Sequence, residues 1–144
     1  MNNQKPTLYN RGQSLVELLV AIGIFALLLS FLAFFIIDSY LTGRLAQEMT
    51  IANFLAEEGL EAAISIRDNS FLNLAAGSYG LAISENNWAF QGGEEDLNNL
   101  LNQGKRIIKI EDIDSRRKKV TSRVTWQLTD LRPESVNLIT YLTD

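Results

Sequence analysis

Few side chains in this sequence are equipped for chemistry, and the two most versatile types are missing. No histidine and no cysteine occurs among the 144 residues. Without histidine there is no commonest general base or metal ligand, and without cysteine no disulfide framework or lipid-modified N-terminal cysteine. Serine and threonine hydroxyls are plentiful, but with no histidine and no placed lysine base nothing resembles a nucleophilic site. Carboxylates remain. Glu57, Glu58 and Glu61 put two acids four apart on one helical face, a spacing that could hold a metal or an acid–base pair. Glu94, Glu95 and Asp96, and the run from Glu111 to Asp114, could offer oxygen ligands to Ca2+. Neither stretch has the ordered spacing of a calcium loop. Solvated acids are the commoner outcome, so no metal, no cofactor and no enzymatic activity is expected.

Arg116, Arg117, Lys118 and Lys119 form a basic cluster that could contact phosphates from a hairpin tip. A solvated turn explains it equally well. Residues 38–144 hold 11 of the 13 basic and 16 of the 17 acidic residues, a net of −5. That balance argues against a general polyanion binder, and DNA is not an expected partner. Trp88 and Trp126 are expected in the core.

One carboxylate stands apart. In "RGQSLVELLVAIGIF", from Arg11 to Phe25, a single acid, Glu17, sits at the start of a long apolar run. From Leu18 to Ile37, twenty consecutive residues carry no charge, and Ser30 is their only hydroxyl. A helix of that length spans about 30 Å, the hydrocarbon thickness of a bilayer, and no polar face interrupts it. The segment is expected to cross a membrane. Lys5 and Arg11 precede it without acids, and Asp38 follows it. The positive-inside bias puts the N-terminus in the cytoplasm and residues 38–144 outside. A secretory signal would have a shorter apolar stretch and a cleavage site after it. Glu17 has two readings: an interfacial acid at the positive end of a helix dipole, or a carboxylate with a cationic partner at membrane depth. Gly23, Ala26, Ser30 and Ala33 recur at steps of three, four and three, a strip through which membrane helices can pack closely. Small residues are also simply frequent in spanning helices, and both readings stand.

The elements that must position these groups follow from periodicity. Leu41, Leu45, Met49, Ala52, Ala56, Gly59, Ala63 and Ile66 recur at helical steps, with Arg44, Gln47, Glu48 and the acids on the other faces. No proline lies between Thr7 and Arg132. One helix from about Ser14 to Arg67, about 80 Å long, is expected, with Gly43 and Gly59 as its weak points. "SYGLAIS" and "WAFQ" flank "ENN" as a hairpin. "EEDLNNLLNQG" is expected to be a loop with at most a helical turn. "KRIIKIEDI", "VTSRVTWQL" and "SVNLITYL" alternate as an antiparallel meander with one buried face. The expected fold is α+β, one long helix packed on a sheet of four to five strands.

The N-terminal pattern as a whole is a basic leader ending in Gly12, a polar pair, glutamate five residues after the glycine, and about twenty apolar residues. It resembles the class III signal of type IV prepilins and pseudopilins. "FLAEEGLEAAISIRD" and the late strands resemble segments of bacterial minor pilins and pseudopilins. The resemblance implies cleavage by a membrane-embedded prepilin peptidase between Gly12 and Gln13, leaving a 132-residue chain. The new terminus is commonly N-methylated. It further implies that Glu17 pairs with the α-amine at Gln13 of a neighbouring subunit as the chain enters a filament. Such a pair could set subunit register, as isolated polar pairs do in some coiled coils. Three departures stand out: Gln13 replaces the frequent phenylalanine, the apolar segment has no proline, and the frequent C-terminal disulfide is absent. These favour a minor pilin or pseudopilin over a major subunit.

The expected organisation is a leader at 1–12, a membrane and assembly helix at 13–37, its amphipathic continuation at 38–68, and an exported sheet domain at 69–144. The expected function is that of a structural subunit of a type IV pilus or of a type II secretion-like pseudopilus, assembled through its N-terminal helix. Its partners by resemblance are prepilin peptidase, other pilin or pseudopilin subunits, an inner-membrane assembly platform and the lipid bilayer. The alternative is a non-polymerising single-pass membrane protein with an exported binding domain, for example in DNA uptake.

Overall fold

A single helix, α1, runs from Asn10 to Asn69 without interruption, in line with the absence of proline and the strong helix formers along it. The computed structural model describes residues 10–144, with side chains from residue 15 onward. The leader, including Lys5, therefore lies largely outside the described residues. Contacts divide the chain into two units, Met1–Gly43 and Arg44–Asp144.

In the first unit the apolar side chains of α1 are left uncovered by the other described residues. From Leu15 to Tyr40 every large apolar residue is exposed, with Phe34 at 73%. Its apolar stretch is long enough to cross a membrane.

In the second unit α1 lies on a six-stranded antiparallel sheet. The strands are β1 (Gly77–Ser84), β2 (Asn87–Gln91), β3 (Glu95–Asp96), β4 (Lys105–Asp112), β5 (Arg117–Thr129) and β6 (Arg132–Thr143), in the order β2-β1-β4-β5-β6, with β3 also on β4. This is the expected α+β plan, consistent with the type IV pilin fold. The sheet has one strand more than the four to five read from the sequence. β3 contributes only two pairs, Glu95↔Arg106 and Asp96↔Lys105, too few to show an alternation.

The strand order follows from where β1 leaves β4. Gly77–Tyr79 pair with Ile108–Ile110, and Gly80–Ser84 pair with β2 instead. Gly80 is the crossing point: a Cβ there would lie 2.6 Å from the Glu94 carbonyl, so only glycine admits the chain that brings in β3. The β1–β2 turn holds two residues rather than three. Glu85 and Asn86 both have positive φ, and Asn87 already pairs with Ser84.

The core sits between α1 and the inner face of the sheet. One cluster joins Ala62, Ala63 and Ile66 to Leu74, Leu81, Ile108, Ile110, Val120 and Leu142. The other joins Ala52, Leu55 and Ala56 to Leu97, Leu101, Val124 and Trp126. Alanine at the contact lets the helix lie close. Between the clusters Gly59 is no weak point. A Cβ on it would overlap Ser122 Oγ and lie 2.9 Å from Ile108 Cδ1. The alternation read for β5 is present, with Val120, Ser122, Val124, Trp126 and Leu128 all buried. The 97–103 segment makes one helical turn, Leu101 N–H to Leu97 carbonyl at 3.0 Å, that puts two leucines into the core.

Candidate functional site

The expected processing and assembly residues all lie on α1. Gly12 and Gln13 have helical backbone, and their surroundings lie outside the described side chains. Glu17 is exposed. At 100° per residue Gly23, Ala26, Ser30 and Ala33 span an arc of about 80°, and its centre lies about 160° around the helix from Glu17. The carboxylate and the small-residue strip therefore occupy opposite faces. Ser30 Oγ donates to the Ala26 carbonyl at 2.9 Å, so its hydroxyl is satisfied within the helix and the strip presents a small, nearly apolar surface. A Cβ on Gly23 would meet nothing within 4 Å, which leaves its flank open to a neighbour.

The basic cluster does not form a single patch. Alternation along β5 sends Arg117 and Lys119 to one face and Lys118 to the other. Arg117 Nε donates to Asp114 Oδ2 at 2.7 Å. Lys118 Nζ contacts Asp112 Oδ1 at 2.5 Å and lies 5.5 Å from the Phe71 ring centroid. Lys119 Nζ is 3.3 Å from Glu111 Oε2. Three of the four cations thus face carboxylates on the same hairpin. Lys109 and then Lys119 hold the Glu111 carboxyl below its ordinary range. The Arg116 backbone N–H, followed by Arg117, does the same for Asp114.

The acids singled out by spacing separate as well. Glu57 and Glu61 are exposed, while Glu58 turns to the sheet. Glu94 meets Lys105 Nζ at 2.5 Å, and this contact raises the lysine pKa. Among the described residues no three carboxylates converge as metal ligands.

The group that spacing missed is Arg106, 1% exposed beneath α1. Its Nη1 donates to the Leu55 carbonyl and to Glu58 Oε2, both at 2.7 Å. Its Nε donates to Glu95 Oε2 at 2.8 Å. The guanidinium thus ties helix, β3 and β4 together, and Gly59 makes room for its stem, with Arg106 Cδ 3.2 Å from a Cβ placed there. A second tie is Trp126 Nε1 to Glu48 Oε2 at 2.9 Å, with Arg44 Nε on the other oxygen at 2.7 Å. The signal for Arg106 was present: it falls in phase with Ile108 and Ile110 on the apolar side of β4. A charge in core phase needs partners, and Glu58 and Glu95 supply them.

Comparison with known proteins adds one finding at the N-terminus. Residues 8–33 match the family model described as the prokaryotic N-terminal methylation motif. The matched residues include Gly12, Gln13, Glu17 and most of the apolar run. They support a type IV pilin-like precursor, processed by prepilin peptidase and anchored in a membrane. No curated protein and no solved structure matches the chain.

Proposed function

We propose that this chain is a structural, non-catalytic subunit of a type IV pilus or of a type II secretion-like pseudopilus. Cleavage after Gly12 frees the amine of Gln13, and the subunit assembles through α1. The observation that carries this reading is the pairing of the methylation motif at residues 8–33 with an apolar helix segment that stands exposed among the described residues. A bilayer covers such a helix before assembly, and other subunits' helices cover it afterwards. The N-terminus faces the cytoplasm, and residues 38–144 are exported.

Glu17 is the link between the two environments. Its side chain is exposed on α1, and a carboxylate at the edge of the hydrocarbon is tolerated when a cation joins it. The freed amine at Gln13 of an adjacent subunit provides that charge. Gly23, Ala26, Ser30 and Ala33 then face a different neighbour, on the far side of the helix from the charge pair.

The test is Glu17→Ala in cells that assemble the filament. Cleavage and membrane insertion are expected to match the unaltered chain, while the amount recovered in sheared filaments falls at least tenfold. Undiminished incorporation of the variant would refute the role given to Glu17.

A further inference from the structure

Among the described residues the sheet has β2 at one end and β6 at the other, and no strand pairs with the outer side of either. Elsewhere an opening is filled: where β1 leaves β4, β3 takes its place on Lys105 and Arg106. An open edge is a template for another strand, and natural edges carry lysine, proline or a bulge to refuse one. On β6 such guards are confined to its start, with Arg132, Pro133 and Glu134 opposite the irregular register at Gln127–Thr129. Residues 135–143 then carry no charge, no proline and no glycine over about 30 Å. Ile139 and Tyr141 stand 52% and 63% exposed on the outer face, and Val136 and Leu138 are only partly covered on the inner one. β2, Asn87–Gln91, is uncharged as well.

The topology decides which edge of a second copy can lie there. Val120 packs in the cluster of Ile66 and Trp126 in that of Ala52, so β5 runs against α1. Neighbouring strands along the sheet are antiparallel, so β2, β4 and β6 all run with the helix. Pairing β6 with a second β6 about a two-fold normal to the sheet reverses one helix against the other. A two-fold within the sheet plane keeps the helices' sense but sets the helix-covered face of one sheet beside the open face of the other. Pairing β6 with β2 of the next copy avoids both. The helices then run the same way on the same face, and the two strands are parallel. Such a contact is heterologous, so it repeats from copy to copy instead of closing on a pair.

We propose that β6 of one subunit pairs in parallel with β2 of a second copy of this chain, so that the sheet continues from subunit to subunit. The inference rests on the reading of the chain as a filament subunit assembled through α1, which requires the helices to run the same way. Side-chain phase agrees with the pairing. Trp88 and Phe90 pack toward the core on the helix side of β2, and there they extend the partly covered Val136 and Leu138. Asn87, Ala89 and Gln91 fall on the opposite face by alternation, small or uncharged beside Ile139 and Tyr141. No like charges meet across the joint, and backbone groups on both edges gain partners.

Because the chain has no cysteine, crosslinks can be placed at will in the full chain, in cells that assemble the filament. Ala89→Cys is combined in turn with Asn137→Cys, Ile139→Cys and Tyr141→Cys, and sheared filaments are treated with a short bis-maleimide. The expected result is a ladder of dimers, trimers and higher oligomers from at least one double variant, with each single variant left monomeric. Ala89→Cys with Leu72→Cys, a control at an exposed site off the sheet, is expected to give no ladder. A second variant, Ile139→Lys, restores an edge guard at an exposed position. Its thermal melt is expected to match the parent while its recovery in filaments falls at least fivefold. Filaments that contain the chain but give no ladder, or undiminished incorporation of Ile139→Lys, would overturn the pairing and leave the filament reading intact. Dimers from Ile139→Cys alone would assign the edge to a two-fold contact, and adducts with a different protein would assign it to another partner; either overturns the proposal. Absence of the unaltered chain from filaments would overturn both.

Discussion

Arg106 shows how much a single buried charge organises in this domain. Its 1% exposure would be costly alone, but three acceptors from helix and sheet surround it. Arg106→Met removes the cation, strands Glu95 and Glu58 at a partly dry interface, and frees the Leu55 carbonyl. A loss of about 3–5 kcal/mol is expected, read as a lower urea midpoint of the full chain in detergent by tryptophan fluorescence. A midpoint unchanged from the parent would show that the network contributes specificity rather than stability. Residue type alone gave no hint of this role, since surface arginines are far commoner than buried ones. The phase of the residue did. By contrast, Glu17 was legible because it violates its surroundings: one acid against twenty uncharged residues.

At the level of elements, the helix–sheet contact is set by what glycine leaves out. Gly59→Ala places a methyl against Ser122 and Ile108, so the usual helix-propensity gain is outweighed and a loss of about 1–3 kcal/mol is expected. Gly43→Ala meets nothing within 4 Å and is expected to be neutral or to add up to about 1 kcal/mol. Parallel thermal melts of the two variants check the contrast, and equal shifts would contradict it. The β4–β5 hairpin carries a pH dependence. Asp114 and Glu111 have lowered folded-state pKa values, so their contribution is present above the ordinary carboxylate range of about 4. It is lost as pH falls through the lower folded values. In Asp114→Asn the acid-side fall in urea midpoint is expected to be shallower than in the parent. Both long strands, β5 and β6, were readable because a single buried face enforces a period of two. β3 was not, since two paired residues impose no period, and the 97–103 segment was readable as a loop with a helical turn but not as the source of two core leucines, Leu97 and Leu101.

The chain combines a helix segment that finds no cover among the described residues with a unit that covers itself. The first was evident in composition, because twenty consecutive uncharged residues match the length of a membrane-crossing helix. The second needed the structure, because strand order depends on Gly80, where one backbone passes another, and hydrophobic patterning does not record that event. On the proposed reading, the two serve a subunit stored in a membrane and used in a polymer, with cleavage as the step between. The direct test is the intact mass of the chain purified from membranes of cells with and without an active prepilin peptidase. With the peptidase, the mass is expected to correspond to residues 13–144, with or without one methyl group; without it, the full chain from Met1 should persist. A membrane-bound chain that keeps Met1 in the presence of the peptidase, or one cut beyond Ile37, would contradict the account.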